Sequence, residues 1–157
     1  MSIASLLALV LVTASAGVVR PQAQDPAQTL RGMIRSYETA WNAHDAAAIA
    51  AYFTDDADQI MTDGPTTVGR DALGRYWAAR FKVMEPERKI TLTVTAIRIV
   101  TPVVAVINTV ATTGGRTAQG KALAPSTDRG TWVVVQKNGR WLIAALRVYP
   151  TEQATPK

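Results

Sequence analysis

Residues 131–149 read TWVVVQKNGRWLIAALRVY. Asn138-Gly139 separates two runs rich in β-branched and aromatic residues. Asn-Gly takes the two left-handed conformations that a tight two-residue turn needs, so the stretch predicts an antiparallel hairpin. The turn sets a register: Lys137 faces Arg140, Gln136 faces Trp141, Val134 faces Ile143, Trp132 faces Ala145 and Gly130 faces Arg147. On that register Arg147 shares a face with Trp132, Ile143 and Ala145. Both faces are largely apolar. One is expected to cover a core or pocket, and the other to meet a partner subunit.

Upstream lie two more strand-like runs. KITLTVTAIRIV (89–100) alternates apolar residues with Thr, and VVAVINTVATT (103–113) follows Thr101-Pro102. GGRTAQGKALAPSTDRG (114–130) reads as a long polar loop. Before residue 86 the period is helical. Asp25-Pro26 opens a helix expected over 26–43, with Leu30, Met33, Ile34, Tyr37, Trp41 and His44 at helical spacing. Asp45 caps a short helix, AAAIAAYF, which Thr54-Asp55-Asp56 is expected to stop. A short strand near 57–62 and a turn at Gly64-Pro65 lead to a helix from Gly69-Arg70-Asp71 to Pro86, with Leu73, Trp77, Phe81 and Met84 as its apolar stripe. Helices first and antiparallel strands after predict an α+β fold with helices on one face of a curved sheet.

The 157 residues include 17 Lys+Arg, 12 Asp+Glu, one His and no Cys. That length fits one domain. The composition excludes a disulfide scaffold, a cysteine nucleophile and a multi-histidine metal centre within one chain. The basic residues are scattered, with no run of five like charges, so a solvated surface is expected rather than a nucleic-acid interface. IASLLALVLV (3–12) carries no charge and is too short to span a bilayer. Ala14-Ser15-Ala16 follows it as a small-x-small pattern. Residues 1–23 therefore read as a signal peptide with a short tail, cleaved after Ala16 or Ala23, and the protein as exported (periplasmic or secreted) with no stable membrane anchor. Losing Arg20 with that segment takes the formal charge from +5 to +4. Residues 24–150 form the domain, and 151–157 a loose tail.

Several stretches resemble the nuclear transport factor 2-like superfamily, in its SnoaL-like and SgcJ/EcaC-like branch. They are Tyr37-Glu-Thr-Ala-Trp41-Asn-Ala-His-Asp45, Ala51-Tyr52-Phe53-Thr-Asp55-Asp56-Ala57, Asp63-Gly64, Gly69-Arg70-Asp71-Ala72 and Gly139-Arg140-Trp141-Leu142-Ile143-Ala144. The resemblance spans about 26–150. It implies a cone: a bent, antiparallel or mixed sheet wrapped around the N-terminal helices, with an apolar cavity at the open end and dimerisation through the sheet. It leaves function open, since that fold hosts isomerases, hydrolases, cyclases and association domains. Against the ketosteroid isomerases of this fold, Tyr37 matches the helix tyrosine. The general base falls on Met61 and the second oxyanion acid near Trp132, so one of three roles survives. Asp58 has the wrong strand parity to replace Met61; Asp63 has the right parity but sits at the turn.

Other motifs are weaker. Gly115–Ala122 is one residue from a phosphate-binding loop, but Ala122 stands where Ser or Thr would hold magnesium, and no helix is expected after it. Asp55, Asp56 and Asp58 lack the spacing of a calcium loop and read as caps and solvated turn residues. His44 reads as a helix-end residue, with a general-base role as the alternative. No metal and no cofactor is expected.

Aromatic residues exceed what a minimal core needs. Tyr37, Trp41, Met61, Trp77, Trp132 and Tyr149, with Gln59, Asn108 and Arg147 as polar contacts, are therefore the candidate cavity lining. The leading expectation is an exported homodimer whose cavity binds a small, mostly apolar molecule with room for an anionic group. The alternatives are a cofactor-free isomerase, cyclase or hydrolase using Tyr37, with Asp63 or His44 as base, and a dimeric interaction module.

Overall fold

Asp25 caps the first helix: its carboxylate accepts from the Ala27 N–H at 3.0 Å, and Pro26 fills the first helical position, where no N–H is missed. The computed structural model describes residues 25–62 and 64–151. The expected leader (1–23), the expected tail (151–157) from residue 152 on, and Asp63 lie outside those residues. The elements are α1 (Pro26–Asn42), α2 (Ala46–Ala50), β1 (Phe53–Ile60), β2 (Thr67–Val68), α3 (Arg70–Val83), β3 (Lys89–Thr101), β4 (Val104–Gly114), β5 (Ser126–Lys137) and β6 (Arg140–Pro150). The fold is α+β. One six-stranded sheet runs in the order β2-β1-β6-β5-β4-β3, with β1 parallel to β6 and every other pair antiparallel.

Two boundaries depart from the sequence reading. The second helix stops at Ala50, and Thr54-Asp55-Asp56 belong to β1. Pairing with the last strand recruits this segment: Phe53 pairs with Ile143, whose N–H donates to the Tyr52 carbonyl at 2.7 Å. Ser126–Arg129 are also strand rather than loop, paired with Val110–Thr113, and the Thr113 and Ser126 hydroxyls meet at 2.8 Å. Tertiary pairing overrides local polarity in both places.

The Asn138-Gly139 turn is as expected, with φ of 50° and 74°. The register holds to Val134↔Ile143 and then slips. Val133 pairs with Ala145, leaving Ala144 as an extra residue in β6. Beyond this bulge Trp132 faces Leu146 and Thr131 faces Arg147, one place from the expected pairs. A bulge bends a strand and raises its twist, and β3–β4 carries two further shifts, so the sheet curls.

Helix α1 lies inside the curl and closes an edge. The Glu38 carboxylate accepts from the Leu92 N–H at 2.6 Å, and the Asn42 amide both accepts from the Ile90 N–H (2.7 Å) and donates to the Ile90 carbonyl (2.9 Å). Edge strand β3 thus has its free backbone groups partly covered by side chains of the helix. The other stripe of α1, Leu30, Ile34, Tyr37 and Trp41, is buried against Phe53, Ile107, Val134 and Ile143.

Candidate functional site

A cavity of about 390 Å³ opens between α1, α3 and the concave face of the sheet. Tyr37 and Trp41 from α1, Trp77 from α3, Met61 after β1, and Trp132 from β5 line it, together with Ile90, Leu92, Leu146 and Val148. Alternate strand residues supply the sheet's share: Thr109, Ala111 and Thr113 from β4, and Ser126, Asp128, Gly130 and Trp132 from β5. Val83, Met84, Arg80, Glu85 and Arg88 complete the wall where α3 runs into β3.

The aromatic end is tightly set. Tyr37 meets Trp132 edge-to-face with ring centroids 4.9 Å apart, and Tyr52 at 5.6 Å. Burial, helped by the neighbouring Tyr76 phenol, pushes the Tyr37 hydroxyl well above the ordinary phenol range, so it stays protonated. The Trp132 indole N–H donates to the Thr109 hydroxyl oxygen at 2.9 Å. Gly130 makes that bond possible: a Cβ there would stand 2.6 Å from the Thr109 oxygen and 2.9 Å from the indole nitrogen. Trp77 donates to the Gln59 carbonyl oxygen at 3.2 Å, while the Gln59 amide nitrogen is buried with no partner among the described residues.

The polar end is organised by Arg88. Its guanidinium grips both Glu85 oxygens, at 2.9 and 3.2 Å, and donates to the Thr113 hydroxyl (3.4 Å) and the Ala124 carbonyl (3.1 Å). The hydrogen bonds from Arg88 hold the Glu85 carboxyl at about 2, and Glu85 in turn raises the Arg88 guanidinium. Arg88 therefore ties the α3–β3 turn to the β4–β5 connection across one side of the mouth.

Five of the nine expected lining residues meet in this cavity: Tyr37, Trp41, Met61, Trp77 and Trp132. Gln59 lies behind the wall, reaching it through Trp77. Three are corrected. Arg147 lies on the convex face, because the Ala144 bulge inverts its side, and pairs there with Asp58. Tyr149 follows the same inverted register and is half-exposed. Asn108 is next to Thr109 in β4 and so points outward, accepting from the Thr131 hydroxyl at 3.3 Å. His44 is outside the cavity lining too. It takes a left-handed φ of 54°, stacks on Phe81 at 4.8 Å, and its Nε2 meets the Arg88 carbonyl at 3.2 Å. Sequence reasoning missed Thr109, Gly130, Arg80 and Arg88; strand alternation from Trp132 could have found Gly130, but Arg88 sits in an unpatterned turn.

The remaining motifs resolve locally. Asp55 pairs with Arg70 (2.8 Å), Asp56 with Lys137 (3.9 Å) and Asp58 with Arg147, so the three acids face three different cations. The Gly115–Ala122 stretch closes on itself, with the Thr117 N–H donating to the Lys121 carbonyl, and runs on into β5 rather than a helix. No helix among the described residues is long and apolar enough to cross a membrane.

Comparison with known proteins agrees with this geometry. The family described as SnoaL-like domain matches residues 34–143. No curated protein matches. Among solved structures, a domain of unknown function with a cystatin-like fold from Nostoc punctiforme superimposes with a TM-score of 0.73 at 20% identity, covering 85% of this chain and 82% of that one. A ketosteroid isomerase-like protein from Erwinia carotovora atroseptica gives 0.69 at 17% identity, covering 83% and 100%. A nuclear transport factor 2-like protein with a cystatin-like fold from Novosphingobium aromaticivorans gives 0.71 at 13% identity, covering 82% and 83%. At these identities the likeness concerns the fold.

Proposed function

This chain belongs to the SnoaL-like domain family, and on that premise we propose that it is an exported domain whose cavity holds a small, mostly apolar molecule with an anionic group at the mouth. One observation carries the reading: a void of about 390 Å³, walled by Tyr37, Trp41, Trp77 and Trp132, opens toward Arg80 and Arg88. An apolar pocket with a few convergent polar groups is the usual form of a small-molecule site. The uncharged 3–12 segment and Ala14-Ser15-Ala16 support export. Homodimerisation through the convex sheet face fits its half-buried Val106, Val110, Val133 and Ala145.

A second reading is a cofactor-free isomerase, cyclase or hydrolase with Tyr37 as hydrogen-bond or proton donor. The protonated Tyr37 phenol in the cavity wall favours it. Met61 at the place of a base and His44 outside the lining weigh against it, which is why binding stands first.

Native mass spectrometry of the protein made with its own leader tests the proposal. The expected spectrum shows a chain shortened by 16–23 residues, a dimeric assembly, and excess mass that is lost on denaturation. Leu92→Trp, which fills the cavity, should abolish that adduct. A full-length, ligand-free chain whose Leu92→Trp variant behaves identically would overturn it.

A further inference from the structure

We infer that the turn between β3 and β4, with Ile99, Val100 and Val103, inserts into the surface of an anionic bilayer, while Arg98, Lys137 and Arg140 meet the headgroups.

Where a chain turns in water, Gly, Asn, Asp or Ser is the usual residue. β3 and β4 turn instead at Pro102-Val103, inside the run IRIVTPVV (97–104). Among the described residues six large apolar side chains are exposed, and three of them are here: Ile99 (42%), Val100 (49%) and Val103 (49%). Hydrogen bonds hold the turn in place. The Val103 N–H donates to the Thr101 hydroxyl oxygen at 3.3 Å, and the Val103 carbonyl accepts from the Gln136 N–H at 2.8 Å.

The Gln136 bond sets this aliphatic turn beside a cationic one. Val104 pairs with Val135, and Lys137 with Arg140, so the Asn138-Gly139 turn lies at the same end of the sheet. Arg98, paired with Val106, adds a third exposed cation. These cations are far apart in sequence, and only strand pairing collects them. Between Lys89 and Pro150 the chain has eight basic residues and one acid, Asp128. Asp128 pairs with Ala111 and lines the cavity, toward the other end of β4 and β5. Asp56 does reach Lys137, at 3.9 Å, but both side chains are more than half exposed, and such a pair is weak and readily exchanged.

This combination selects its occupant. Aliphatic side chains at a turn, flanked by cations, match a bilayer: its acyl boundary takes the apolar groups and its anionic headgroups take the charge. A single-stranded nucleic acid would call for aromatic stacking platforms, and the turn has only aliphatic groups. A protein partner needs about 800 Å² from each side, far more than three half-exposed side chains present. Docking here leaves the cavity open, because Thr113 and Ser126 of its lining lie at the other ends of β4 and β5.

The chain has no Cys, so Val103→Cys accepts a single environment-sensitive fluorophore, and Val68→Cys, exposed on the opposite edge strand, is the control. The full chain is mixed with phosphatidylcholine vesicles with or without about 30% phosphatidylglycerol. The label at 103 should shift to the blue on the anionic vesicles alone, and the label at 68 should not shift. Co-sedimentation with those vesicles should fall about tenfold for Val103→Asp and about fivefold for Arg98→Gln, with the melting temperature unchanged. Should Val103→Asp not fold, Val103→Ser removes the apolar group without adding charge and should weaken binding in the same direction. No binding to the anionic vesicles would overturn the inference. So would binding that survives loss of the Val103 side chain, as the apolar 3–12 segment would give, or a label at 103 that stays in water. A Val103→Asp variant whose native mass spectrum shows a changed subunit count would assign the turn to a second copy of the chain and overturn it as well. Duplex DNA that displaces the vesicles and is weakened by Arg98→Gln but not by Val103→Asp would do the same.

Discussion

Arg147 and Asp58 form an ion pair across β6 and β1 on the convex face of the sheet, although they are 89 positions apart. The guanidinium also donates to the Leu146 carbonyl at 3.0 Å and the Asp58 carbonyl at 3.4 Å. Both side chains are about one-third exposed. Arg147 therefore joins the two parallel strands from outside and has no part in the cavity. Arg147→Gln should leave ligand or probe affinity unchanged. It should cost about 1 kcal/mol of stability, a value discounted for solvent screening of a partly exposed pair. Urea unfolding alongside probe titration checks both halves, and a large affinity loss would contradict the placement.

Gly130 and Gly139 offer a paired comparison. Gly130→Ala drives a methyl into the Thr109–Trp132 contact, at 2.6 and 2.9 Å. Overpacking of this kind costs about 1–3 kcal/mol, and it should also displace the indole and weaken cavity binding. Gly139→Ala meets nothing within 4 Å and suffers only from its φ of 74°. It should cost about 1 kcal/mol and leave binding alone. Thermal melts of the two variants, with native mass spectra of the carried adduct, separate the effects.

Trp77 and Gln59 should behave as a coupled unit. Trp77→Phe strands the Gln59 carbonyl oxygen, and Gln59→Met strands the Trp77 N–H; each should cost about 1–3 kcal/mol through a buried unpaired group. The double variant also removes the Gln59 amide nitrogen, which is already buried without a partner among the described residues. It should be more stable than the sum of the singles predicts, by about 1 kcal/mol in a double-mutant cycle. Strict additivity in urea unfolding would show that the contact is not formed.

The Glu85–Arg88 clamp makes a pH-dependent contribution of known sign. Glu85 titrates at about 2 in the folded protein, against its ordinary 4.5. Its folded value is lowered, so the contribution is fully present above pH 4.5 and is lost as the pH falls toward 2. Glu85→Gln should flatten the stability curve in that window and lower stability above it. Unfolding midpoints at pH 6, 4 and 2.5 for both proteins provide the check. Parallel curves would mean that the clamp contributes nothing.

The parts of this fold that local chemistry dictates could be read in advance. Asp25-Pro26, Asp45 and Asn138-Gly139 are short-range signals, and each does what its residue types require. The Ala144 bulge could not be read. Val133, Val134 and Val135 face Leu142, Ile143 and Ala145 in a stretch apolar on both sides, so a one-residue slip leaves no trace in the pattern. That slip puts Arg147 and Tyr149 on the side opposite to the expected one, whereas Asn108 lies on β4, outside the slip, and points outward because its neighbour Thr109 takes the cavity face. Arg88 escaped for a different reason. Its contacts to Glu85, Thr113 and Ala124 join three segments whose proximity only the sheet creates.

The parallel pairing of β1 with β6 also has a consequence in time. Phe53 finds its partner only at Ile143, ninety residues later, and among the described residues β1 has no other long neighbour, since β2 is two residues long. During synthesis the helices and the β3–β4 hairpin can form from contacts nearby in sequence, but β1 must wait for β6. Until then two strand edges, of β1 and of β5, stand open together and are free to pair with other chains. The last hairpin to be made is the step that closes them, so a chain stopped after β5 would be an aggregation hazard rather than a smaller version of the domain.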